Sequence, residues 1–534
     1  MQKKAHKIED RADIKTESIL DLIVAERKKT IEKKGYNFGF KIPEKREKPI
    51  IPFMPDRGLI LEIKRASPSK AWISKDLDIK AKASEYISLG AKAISVLTEE
   101  EFFKGSLKDL VAVSNEVYKK NKKVAILRKD FLSSVEDIAV SYYCGADAVL
   151  LIASVLFYEN SYLMMKEALK FGLSVLYEVR TKEEFLIYES CLEHLEKEAY
   201  LDIREKIVLG INARNLKSFK IDMLKPLRFL NLSKKKTKII FESGIKTKEM
   251  ATRLAHLGFF GLLIGETAVK EKKEIKKIAE SFGKEKNTRD SVFWKHFLAD
   301  GFLEKKIQKK ICGFTHLDDV LMAIEEGVEI LGFIFSKKTK RKASKELLET
   351  LAKTDIYKKY SQDKKLLRVG VVTELYSKEW RQALSLLRHG YLDVLQIHDL
   401  EVFHATHKKN LVKVLEGLRK KNIAYYTAIA LEDEADLRAL SRLQDLGEFR
   451  VLIDRKKKSN SKNTEEKQKE GIVEYIKLLE KVESPLWLAG GLSVELVSLY
   501  NEQLDIELLD FARATEGAIV GRKEKEKIET VLAL

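Results

Sequence analysis

The sequence predicts an α/β protein that contains two tandem (β/α)8 barrels. Three observations lead to this prediction. The chain has 534 residues, which is more than one ordinary core accommodates. Short apolar runs alternate with longer amphipathic segments, as expected for buried parallel strands joined by crossover helices. This alternation stops once and then restarts, and each series contains eight apolar runs, the strand number of a closed (β/α)8 barrel.

The first series of apolar runs follows a helical pattern within residues 1–48. We therefore predict a first barrel with an extra N-terminal helix. An open doubly wound sheet is the alternative, but no Gly-x-Gly-x-x-Gly pattern follows the first run. The predicted strands of the first barrel are 59–65, 93–99, 124–130, 148–154, 174–179, 207–213, 238–244 and 261–266.

A polar segment and a short predicted helix then interrupt the pattern. We predict the first barrel over residues 1–283, a linker with a short helix over 284–307 and a second barrel over 308–534. The predicted strands of the second barrel are 310–315, 330–336, 367–373, 394–399, 424–430, 449–455, 485–491 and 507–513.

Composition narrows the classes of function. The net charge is +18, but the lysines are spread along the chain and aromatic residues do not alternate with them. We therefore expect no specific nucleic-acid partner, and a basic nucleic-acid-binding barrel is only a remote alternative. No apolar run is long enough to cross a membrane, and the N-terminus has no signal core. Three distant cysteines without a CxxC pair suggest a reducing cytoplasm rather than disulfides or a zinc site.

Ionisable side chains recur at the ends of the first eight predicted strands, where barrel enzymes place their reactive groups. One such residue is usually structural, and Glu62 and Lys64, which share a strand face, are compatible with a simple buried ion pair. Two lysines and three carboxylates at one mouth indicate a catalytic site instead. The strand-end residues are Glu62, Lys64, Phe103, Lys129, Glu178, Asn212, Arg214, Glu242, Ser243 and Gly265.

Two further patterns concern ligand binding. Barrels often bind phosphate after strands seven and eight, where Ser243, Gly244 and Gly265 offer small side chains and free amides. His404 and His407 stand three residues apart on a predicted helix. Without a carboxylate or a further histidine nearby, a solvated helix face is favoured over a metal site. We predict no metal and no other cofactor.

Seven motifs of the first half resemble the indole-3-glycerol-phosphate synthase family, in order and at barrel spacing. They are LILEIKRASPSK, SVLTEEEFFKGS, LRKDF, YEV, GINARNL, FESGI and LLIGETAV. The likeness spans roughly residues 15–280 and includes the extra N-terminal helix of that family. The departures are small: Ala71 stands where the family usually has glycine, and Ala213 lies within GINARNL.

The resemblance implies that the first barrel closes the indole ring of 1-(2-carboxyphenylamino)-1-deoxyribulose 5-phosphate, with loss of carbon dioxide and water. This reaction needs an acid at the ribulose carbonyl, a cation near the departing carboxylate and an acid–base pair for dehydration. By resemblance, Lys129 is the first general acid, Lys64 holds the carboxylate and Glu178 serves the dehydration. Glu62 and Asn212 would orient the substrate and the lysines.

The same resemblance implies a set of substrate contacts. The residues expected to pack against the anthranilate ring, or otherwise to form ordinary core, are Phe103, Phe131 and Leu150. The residues expected to hold the phosphate are Ser67, Gly244, Gly265 and, through its backbone amide alone, Glu266.

Six segments of the second half resemble phosphoribosylanthranilate isomerase, the enzyme of the preceding step, which is often fused in this order. They are KICGFTHLDD, KTKRKAS with Arg341, QIH at 396–398, VLID, LAGGL at 488–492 and LDF at 509–511. The resemblance implies an Amadori isomerisation of N-(5-phosphoribosyl)anthranilate. Cys312 and Asp454 suit the base and acid that this reaction needs, although a lone cysteine in an apolar strand is usually inert core. The residues expected to bind substrate or phosphate are Arg341, His398, Gly490, Gly491 and Arg513.

The second likeness departs from the family at its phosphate-binding segments. After Asp454 the sequence KKKSNSKNTEEK replaces the usual Gly-Gly-Thr-Gly stretch, and Asp399 replaces a glycine. Residues 512–515 (ARAT) replace small residues, so Arg513 or the lysines of 456–458 would bind phosphate as point charges. Two hypotheses stay open: a bifunctional tryptophan-pathway enzyme, or a monofunctional synthase with a non-catalytic second barrel. Both predict a monomeric, cytoplasmic protein that acts on small phosphorylated molecules.

Overall fold

The computed structural model describes residues 19–68, 72–120, 123–198, 202–214, 220–232, 237–282, 288–298, 307–362, 366–398, 408–455 and 465–534. It contains two closed barrels, each with eight parallel strands in sequence order. This arrangement confirms the predicted pair of tandem (β/α)8 barrels.

The first barrel closes by parallel pairing of its first and last strands. Its strands are β1 (Gly58–Ile63), β2 (Ala93–Leu97), β3 (Ala125–Lys129), β4 (Ala148–Ile152), β5 (Ser174–Val179), β6 (Ile207–Asn212), β7 (Ile239–Glu242) and β8 (Gly261–Ile264). Several strands end before the predicted run does. β1, for example, ends at Ile63, so Lys64 already belongs to the loop at the barrel mouth. Lys129, Asn212 and Glu242, by contrast, are the last residues of their strands.

The helices between and after these strands are α1 (Ile19–Lys34), α2 (Ile79–Ser88), α3 (Leu107–Lys120), α4 (Val135–Tyr143), α5 (Ala153–Lys170), α6 (Lys182–Lys197), α7 (Ile203–Lys206), α8 (Leu227–Leu232), α9 (Lys248–Leu257), α10 (Glu266–Lys270) and α11 (Lys272–Phe282). Polar side chains fix several of their starts. Asp78, Thr181 and Thr247 each accept backbone N–H groups from the first turn of the following helix. Such caps satisfy donors that lack a partner within the helix.

An apolar layer fills the interior of the first barrel. It includes Ile60, Leu127, Leu150, Leu176 and Ile240, all of which are buried. Because side chains two residues apart share a strand face, the next inward position after Ile60 is Glu62. The apolar layer therefore forms the floor of the mouth in which the charged side chains lie.

A buried ion-pair network attaches the extra N-terminal helix to β3. The guanidinium of Arg27 on α1 donates to Asp130 (Nε to Oδ1, 3.2 Å) and to Asp137 (Nη2 to Oδ1, 2.7 Å). Arg128 also donates to Asp130, at 2.9 Å. Asp130 follows Lys129 directly, so this network fixes the backbone that carries Lys129.

The second barrel contains β9 (Gln308–Cys312), β10 (Ile330–Phe335), β11 (Leu367–Val372), β12 (Val394–Ile397), β13 (Tyr425–Ala430), β14 (Val451–Asp454), β15 (Leu486–Ala489) and β16 (Ile506–Phe511). The remaining helices are α12 (Arg289–Phe297), α13 (Leu317–Glu325), α14 (Lys345–Leu351), α15 (Asp355–Gln362), α16 (Lys378–Arg388), α17 (Lys408–Lys420), α18 (Glu434–Asp445), α19 (Glu465–Glu480), α20 (Val494–Asn501) and α21 (Lys525–Leu532). α12 lies in the segment that we assigned to the linker, and β16 pairs with β9 to close the barrel.

The chain divides into two compact units. One contains the residues up to Ile221 together with Lys235–Gly244 and Phe260–Ala279. The other contains Asp222–Lys234, Ile245–Phe259 and Glu280–Leu534. Among the described residues, no helix combines the length and apolar character needed to cross a membrane. The same residues include no group of three or more His, Cys, Asp or Glu side chains able to hold a metal ion.

Candidate active sites

The mouth of the first barrel brings two lysines and two glutamates into direct contact. Lys64 Nζ lies 2.7 Å from Glu62 Oε1. Lys129 Nζ lies 3.6 Å from Glu62 Oε2 and 3.1 Å from Glu242 Oε2. Each of the four side chains stands at or just past the carboxyl end of its strand. The structure therefore assembles, from β1, β3 and β7, the cluster that the sequence predicted.

Opposite charges keep Glu62 and Lys129 ionised despite their burial. Burial alone would raise the pKa of the Glu62 carboxyl, but Lys64 and Lys129 outweigh it and hold that pKa below its ordinary value. Burial likewise opposes the charge of Lys129, but Glu242, Glu62 and Glu178 raise the pKa of this lysine. Lys129 is therefore protonated at neutral pH, as a proton donor must be.

Glu242 is the carboxyl group of this mouth that titrates near neutrality. Its burial raises its pKa to about 7; Lys129 opposes the rise, and the charges of Glu178 and Glu62 add to it. Glu242 Oε1 is buried and has no hydrogen-bond partner among the described residues. A Cβ atom at Gly210 would lie only 2.4 Å from that oxygen. A glycine at 210 therefore leaves the space that the Glu242 carboxyl occupies.

Glu178 and Asn212 stand at the same mouth on β5 and β6. The charge of Glu178 acts on both Lys129 and Glu242, and its own carboxylate accepts from Arg180 Nη2 at 3.0 Å. Asn212 Oδ1 accepts from the backbone N–H of Arg214 at 3.0 Å, which makes a tight turn after β6. The structure thus places both residues where the sequence predicted.

The segments predicted to bind phosphate have the backbone geometry of open turns. Ser243 and Gly244 follow β7 with φ angles of 74° and 79°. Gly265 follows β8, and a Cβ atom there would lie 2.4 Å from Glu62 Oε1 and 2.7 Å from Lys64 Nζ. Ser67 lies beyond β1, and Glu266, the first residue of α10, forms an ion pair with Lys270. Only glycine fits at 265 without displacing the charged cluster.

Two aromatic rings predicted to contact the anthranilate lie close to each other. The ring centroids of Phe103 and Phe131 are 6.1 Å apart. Phe131 packs against the apolar layer that contains Leu150. Leu150 is buried within this layer, so its place is compatible with either predicted role, ring contact or core. Ala71, one of the departures from the family pattern, lies outside the described residues.

The mouth of the second barrel contains the predicted cysteine and aspartate. Cys312 is the last residue of β9 and Asp454 the last residue of β14. Burial raises the pKa of the Cys312 thiol, although the charge of Lys310 opposes this rise. His398 Nε2 lies 3.2 Å from Asp454 Oδ2. The structure thus pairs His398 with Asp454, a contact that sequence spacing did not predict.

A buried polar network lies one layer below Cys312. Lys310 Nζ donates to Asp510 Oδ2 at 2.6 Å and to Gln396 Oε1 at 2.7 Å. The hydroxyl of Tyr426 also donates to Gln396. The negative charge of Asp510 adds to the raised pKa of the Cys312 thiol. The charges of Asp454 and His398 shift the pKa of Asp510 in opposite directions, upward and downward respectively. This network connects the cysteine and aspartate ends of the mouth.

Arg341 is held by a carboxylate that the sequence analysis did not single out. Its Nε and Nη2 donate to the two oxygens of Glu516, at 2.6 and 2.7 Å. Lys523 lies 3.6 Å from the same carboxylate and donates to the backbone carbonyls of Cys312 and Ala512. Glu516 and Lys523 therefore fix Arg341 and the backbone of Cys312 at one side of the mouth.

The remaining predicted residues of the second mouth lie after β15 and β16. Gly490 and Gly491 have φ angles of 89° and 68°, and a Cβ atom at Gly490 would lie 2.3 Å from Asp454 Oδ1. Arg513 is exposed in a short 3₁₀ turn. Asp399, His404, His407 and the lysines of 456–458 lie outside the described residues.

Sequence reasoning missed four charged residues around the two mouths: Arg180, Lys310, Glu516 and Lys523. Two of them carried a detectable signal. Arg180 and Lys310 each stand two residues from a predicted site residue and so share its strand face. Glu516 and Arg341 are 175 residues apart, and no local pattern indicates their contact.

Two families match consecutive parts of the chain. Residues 20–281 match the family described as indole-3-glycerol phosphate synthase. Residues 309–533 match the family described as N-(5'phosphoribosyl)anthranilate (PRA) isomerase. The two matched segments contain the first and the second mouth, respectively.

Individual relatives agree with these matches. The indole-3-glycerol phosphate synthase of Bacteroides thetaiotaomicron is 37% identical over 215 residues, which cover 40% of this chain and 75% of that protein. The enzyme of the same name from Endomicrobium trichonymphae is 36% identical over 262 residues, 47% of this chain and 95% of that protein. A multifunctional tryptophan biosynthesis protein of Phycomyces blakesleeanus is 30% identical over 299 residues, 55% of this chain and 36% of that protein. The chain therefore belongs to the indole-3-glycerol phosphate synthase family, and a phosphoribosylanthranilate isomerase domain follows in the same polypeptide.

Proposed function

We propose that this chain catalyses two consecutive steps of tryptophan biosynthesis, the isomerisation of N-(5-phosphoribosyl)anthranilate and the closure of the indole ring. The observation that carries the proposal is the charged cluster of the first mouth. Lys129 lies between Glu62 and Glu242, with Lys64 beside Glu62. Together with the tandem family domains, this favours a bifunctional enzyme over a synthase with a non-catalytic second barrel.

In the first barrel, Lys129 is the proposed proton donor to the carbonyl oxygen of the ribulose chain. Protonation makes that carbon electrophilic, and the ring carbon that bears the carboxylate attacks it. Lys64 stabilises the carboxylate until carbon dioxide leaves. Its 2.7 Å contact with Glu62 Oε1 fixes the ammonium for this task. Asn212 would orient the substrate from the end of β6.

Dehydration then completes the ring. Glu178 is the proposed base, and a lysine ammonium is the proposed acid for the departing hydroxyl group, which leaves as water. Glu242 would hold Lys129 in place through the 3.1 Å contact. The phosphate would bind at Ser67, Ser243, Gly244 and Gly265, with the Glu266 amide and Arg214 nearby. The anthranilate ring would pack against Phe103, Phe131 and Leu150.

In the second barrel, Asp454 is the proposed acid and Cys312 the proposed base. Protonation of the ribose ring oxygen by Asp454 opens the ring, and Cys312 moves a proton from the adjacent carbon to complete the rearrangement. The 3.2 Å contact between His398 and Asp454 supports this role because it orients the carboxyl group. Arg341, Gly490, Gly491 and Arg513 would hold the substrate and its phosphate.

We further propose that the enzyme acts in the cytoplasm as a monomer, without a nucleic-acid partner. All three cysteines are free and buried, which fits a reducing compartment. The basic runs are not interleaved with aromatic residues. We therefore propose that the net charge of +18 helps to attract anionic small-molecule substrates rather than nucleic acid.

Turnover of phosphoribosylanthranilate by the full chain tests the function. Wild type should convert it into indole glycerol phosphate. Lys129→Ala should accumulate the ribulose intermediate, because only the first mouth is damaged. Cys312→Ala should leave phosphoribosylanthranilate unconsumed beyond its spontaneous rearrangement, while still closing the ring of supplied ribulose intermediate.

Two other outcomes would contradict parts of the proposal. If wild type converts supplied ribulose intermediate but ignores phosphoribosylanthranilate, the second barrel is not catalytic. If Lys129→Ala closes the ring at the rate of wild type, the assignment of the proton donor is wrong.

A further inference from the structure

One arginine of the first mouth has no part in the roles proposed above. Arg180 comes directly after β5, two residues beyond Glu178, and therefore shares the strand face of that glutamate. Its Nη2 donates to Glu178 Oε1 at 3.0 Å. Both side chains are largely covered, with exposed fractions of 16% for Arg180 and 4% for Glu178. The pair is thus part of the mouth rather than a surface ion pair.

The backbone of Arg180 is also fixed. Its N–H donates to Glu184 Oε2 at 2.6 Å. Glu184 lies in the first turn of α6, where its own N–H donates to the hydroxyl of Thr181. Thr181 thus caps the start of α6, and the Glu184 side chain holds the residue that precedes this cap. Arg180 is therefore held at its backbone by α6 and at its guanidinium by Glu178.

The arrangement of charges in the first mouth shows what the Arg180–Glu178 pair contributes. The cluster of the first mouth contains three carboxylates, Glu62, Glu178 and Glu242, but the lysines Lys64 and Lys129 contact only the first and third. Among the described residues, the guanidinium of Arg180 donates a hydrogen bond to the Glu178 side chain. Arg180 therefore supplies the cation that contacts Glu178 directly.

We infer that Arg180 is a positioning residue for ring closure, which orients the Glu178 carboxylate for the dehydration step. This inference rests on the proposed function of the first barrel. Arg180 acts through Glu178 and does not itself exchange a proton, since an arginine stays protonated under all relevant conditions. The planar guanidinium fixes the direction of the carboxylate better than a lysine would.

The first experiment compares Arg180→Met, Arg180→Lys and wild type in ring closure from supplied ribulose intermediate. We expect Arg180→Met to lower kcat about 10–100-fold at pH 7, a part of the 10²–10⁴ that a positioned acid or base provides. KM should change less than threefold. Arg180→Lys should restore part of kcat.

Arg204→Met is the matched control. Arg204 has an exposed fraction of 15% and donates to Glu196 and Glu189, at 2.8 and 3.3 Å, away from the mouth. Arg204→Met should leave kcat unchanged. A loss of kcat of the same size in Arg204→Met would show that removing any half-buried arginine has this effect, and would overturn the inference.

A double-mutant cycle tests whether Arg180 acts through Glu178. In the Glu178→Gln background, Arg180→Met should change kcat less than twofold, because the interaction is already removed. Full additivity of the two losses, or an effect confined to KM, would overturn the inference. If Arg180→Met does not fold, Arg180→Lys in the same cycle still decides. Failure of wild type to close the ring would instead refute the proposed function.

Discussion

The buried lysine ion pairs lie at different depths in the two barrel mouths. In the first mouth, Lys64 and Lys129 touch the glutamates that we assign to catalysis or orientation, at distances of 2.7 to 3.6 Å. In the second mouth, Lys310 forms its 2.6 Å ion pair with Asp510 one layer below Cys312. There the proposed acid, Asp454, contacts a histidine instead. The first mouth therefore has its ion pairs among the proposed catalytic groups, whereas the lysine and arginine ion pairs of the second mouth lie beneath or beside them.

This difference determines how each site responds to change. Lys129, Glu62, Glu178 and Glu242 each influence the protonation of another member of the group. Removal of one charge in the first mouth should therefore disturb the remaining ones. In the second mouth, Cys312 and Asp454 lie on different strands, above the hydrogen-bonded network of Lys310, Asp510 and Gln396. Replacement of Cys312 or Asp454 should therefore abolish one proton-transfer step and leave the Lys310 network intact.

The largest expected effect tests the separation of the two sites. Asp454→Asn should lower kcat for isomerisation about 10²–10⁴-fold, because an amide cannot donate the proton that opens the ribose ring. Ring closure from supplied ribulose intermediate should stay within twofold of wild type. Coupled and single-step assays on the full chain measure both rates. The fully exposed Asp355→Asn is the control, and a parallel fall of ring closure in Asp454→Asn would contradict the separation.

A smaller effect is expected at the arginine that faces Glu516. Arg341→Lys replaces a two-bond contact with a single ammonium, so Glu516 loses its fixed geometry. We expect KM for phosphoribosylanthranilate to rise about tenfold, roughly 1.4 kcal/mol of binding, with kcat within threefold. Arg368→Lys provides a matched control, since Arg368 makes the same two-bond contact with Asp393 at the start of β11. Equal KM values in Arg341→Lys and wild type would show that Arg341 does not contribute to substrate binding.

The third expected effect is on stability rather than on turnover, and it reports the charge coupling of the first mouth. The pKa of Glu242 is about 7 in the folded protein, above its ordinary value of 4.5. The folded state therefore binds more protons than the unfolded state between these values, and stability falls as pH rises through this window. Glu242→Gln lacks this dependence. The Tm of wild type minus that of the variant should fall by a few degrees between pH 5 and pH 8, on the order of 1–3 kcal/mol. A constant difference would contradict the raised pKa.

Local sequence patterns were sufficient for much of the fold and of the first site. The apolar runs predicted all sixteen strands that the described residues form, and the strand-end positions of Lys129 and Glu242 predicted their convergence. The contact partners were not predictable in the same way. Lys310 and Asp510 are 200 residues apart, and Arg341 and Glu516 are 175 apart. Whether such side chains meet depends on how the barrel closes, which no window of sequence reports.

Strand ends show a second limit of the sequence pattern. An apolar run continues into the polar residue that faces the mouth, so the run alone placed Lys64 within β1 rather than after it. The ladder stops where backbone groups turn toward the loop. Lys64 lies beyond this point and forms its 2.7 Å ion pair with Glu62 instead.

The ion pairs of Arg27 also affect the order of events during synthesis. Its partners Asp130 and Asp137 follow it by 103 and 110 residues. At about 5–20 residues per second, the ribosome needs roughly 5–20 s to produce that length of chain. Until then α1 has left the ribosome but lacks the carboxylates that fix it. Helix α1 is therefore anchored by these ion pairs only after β3 and the turn that follows it have been made.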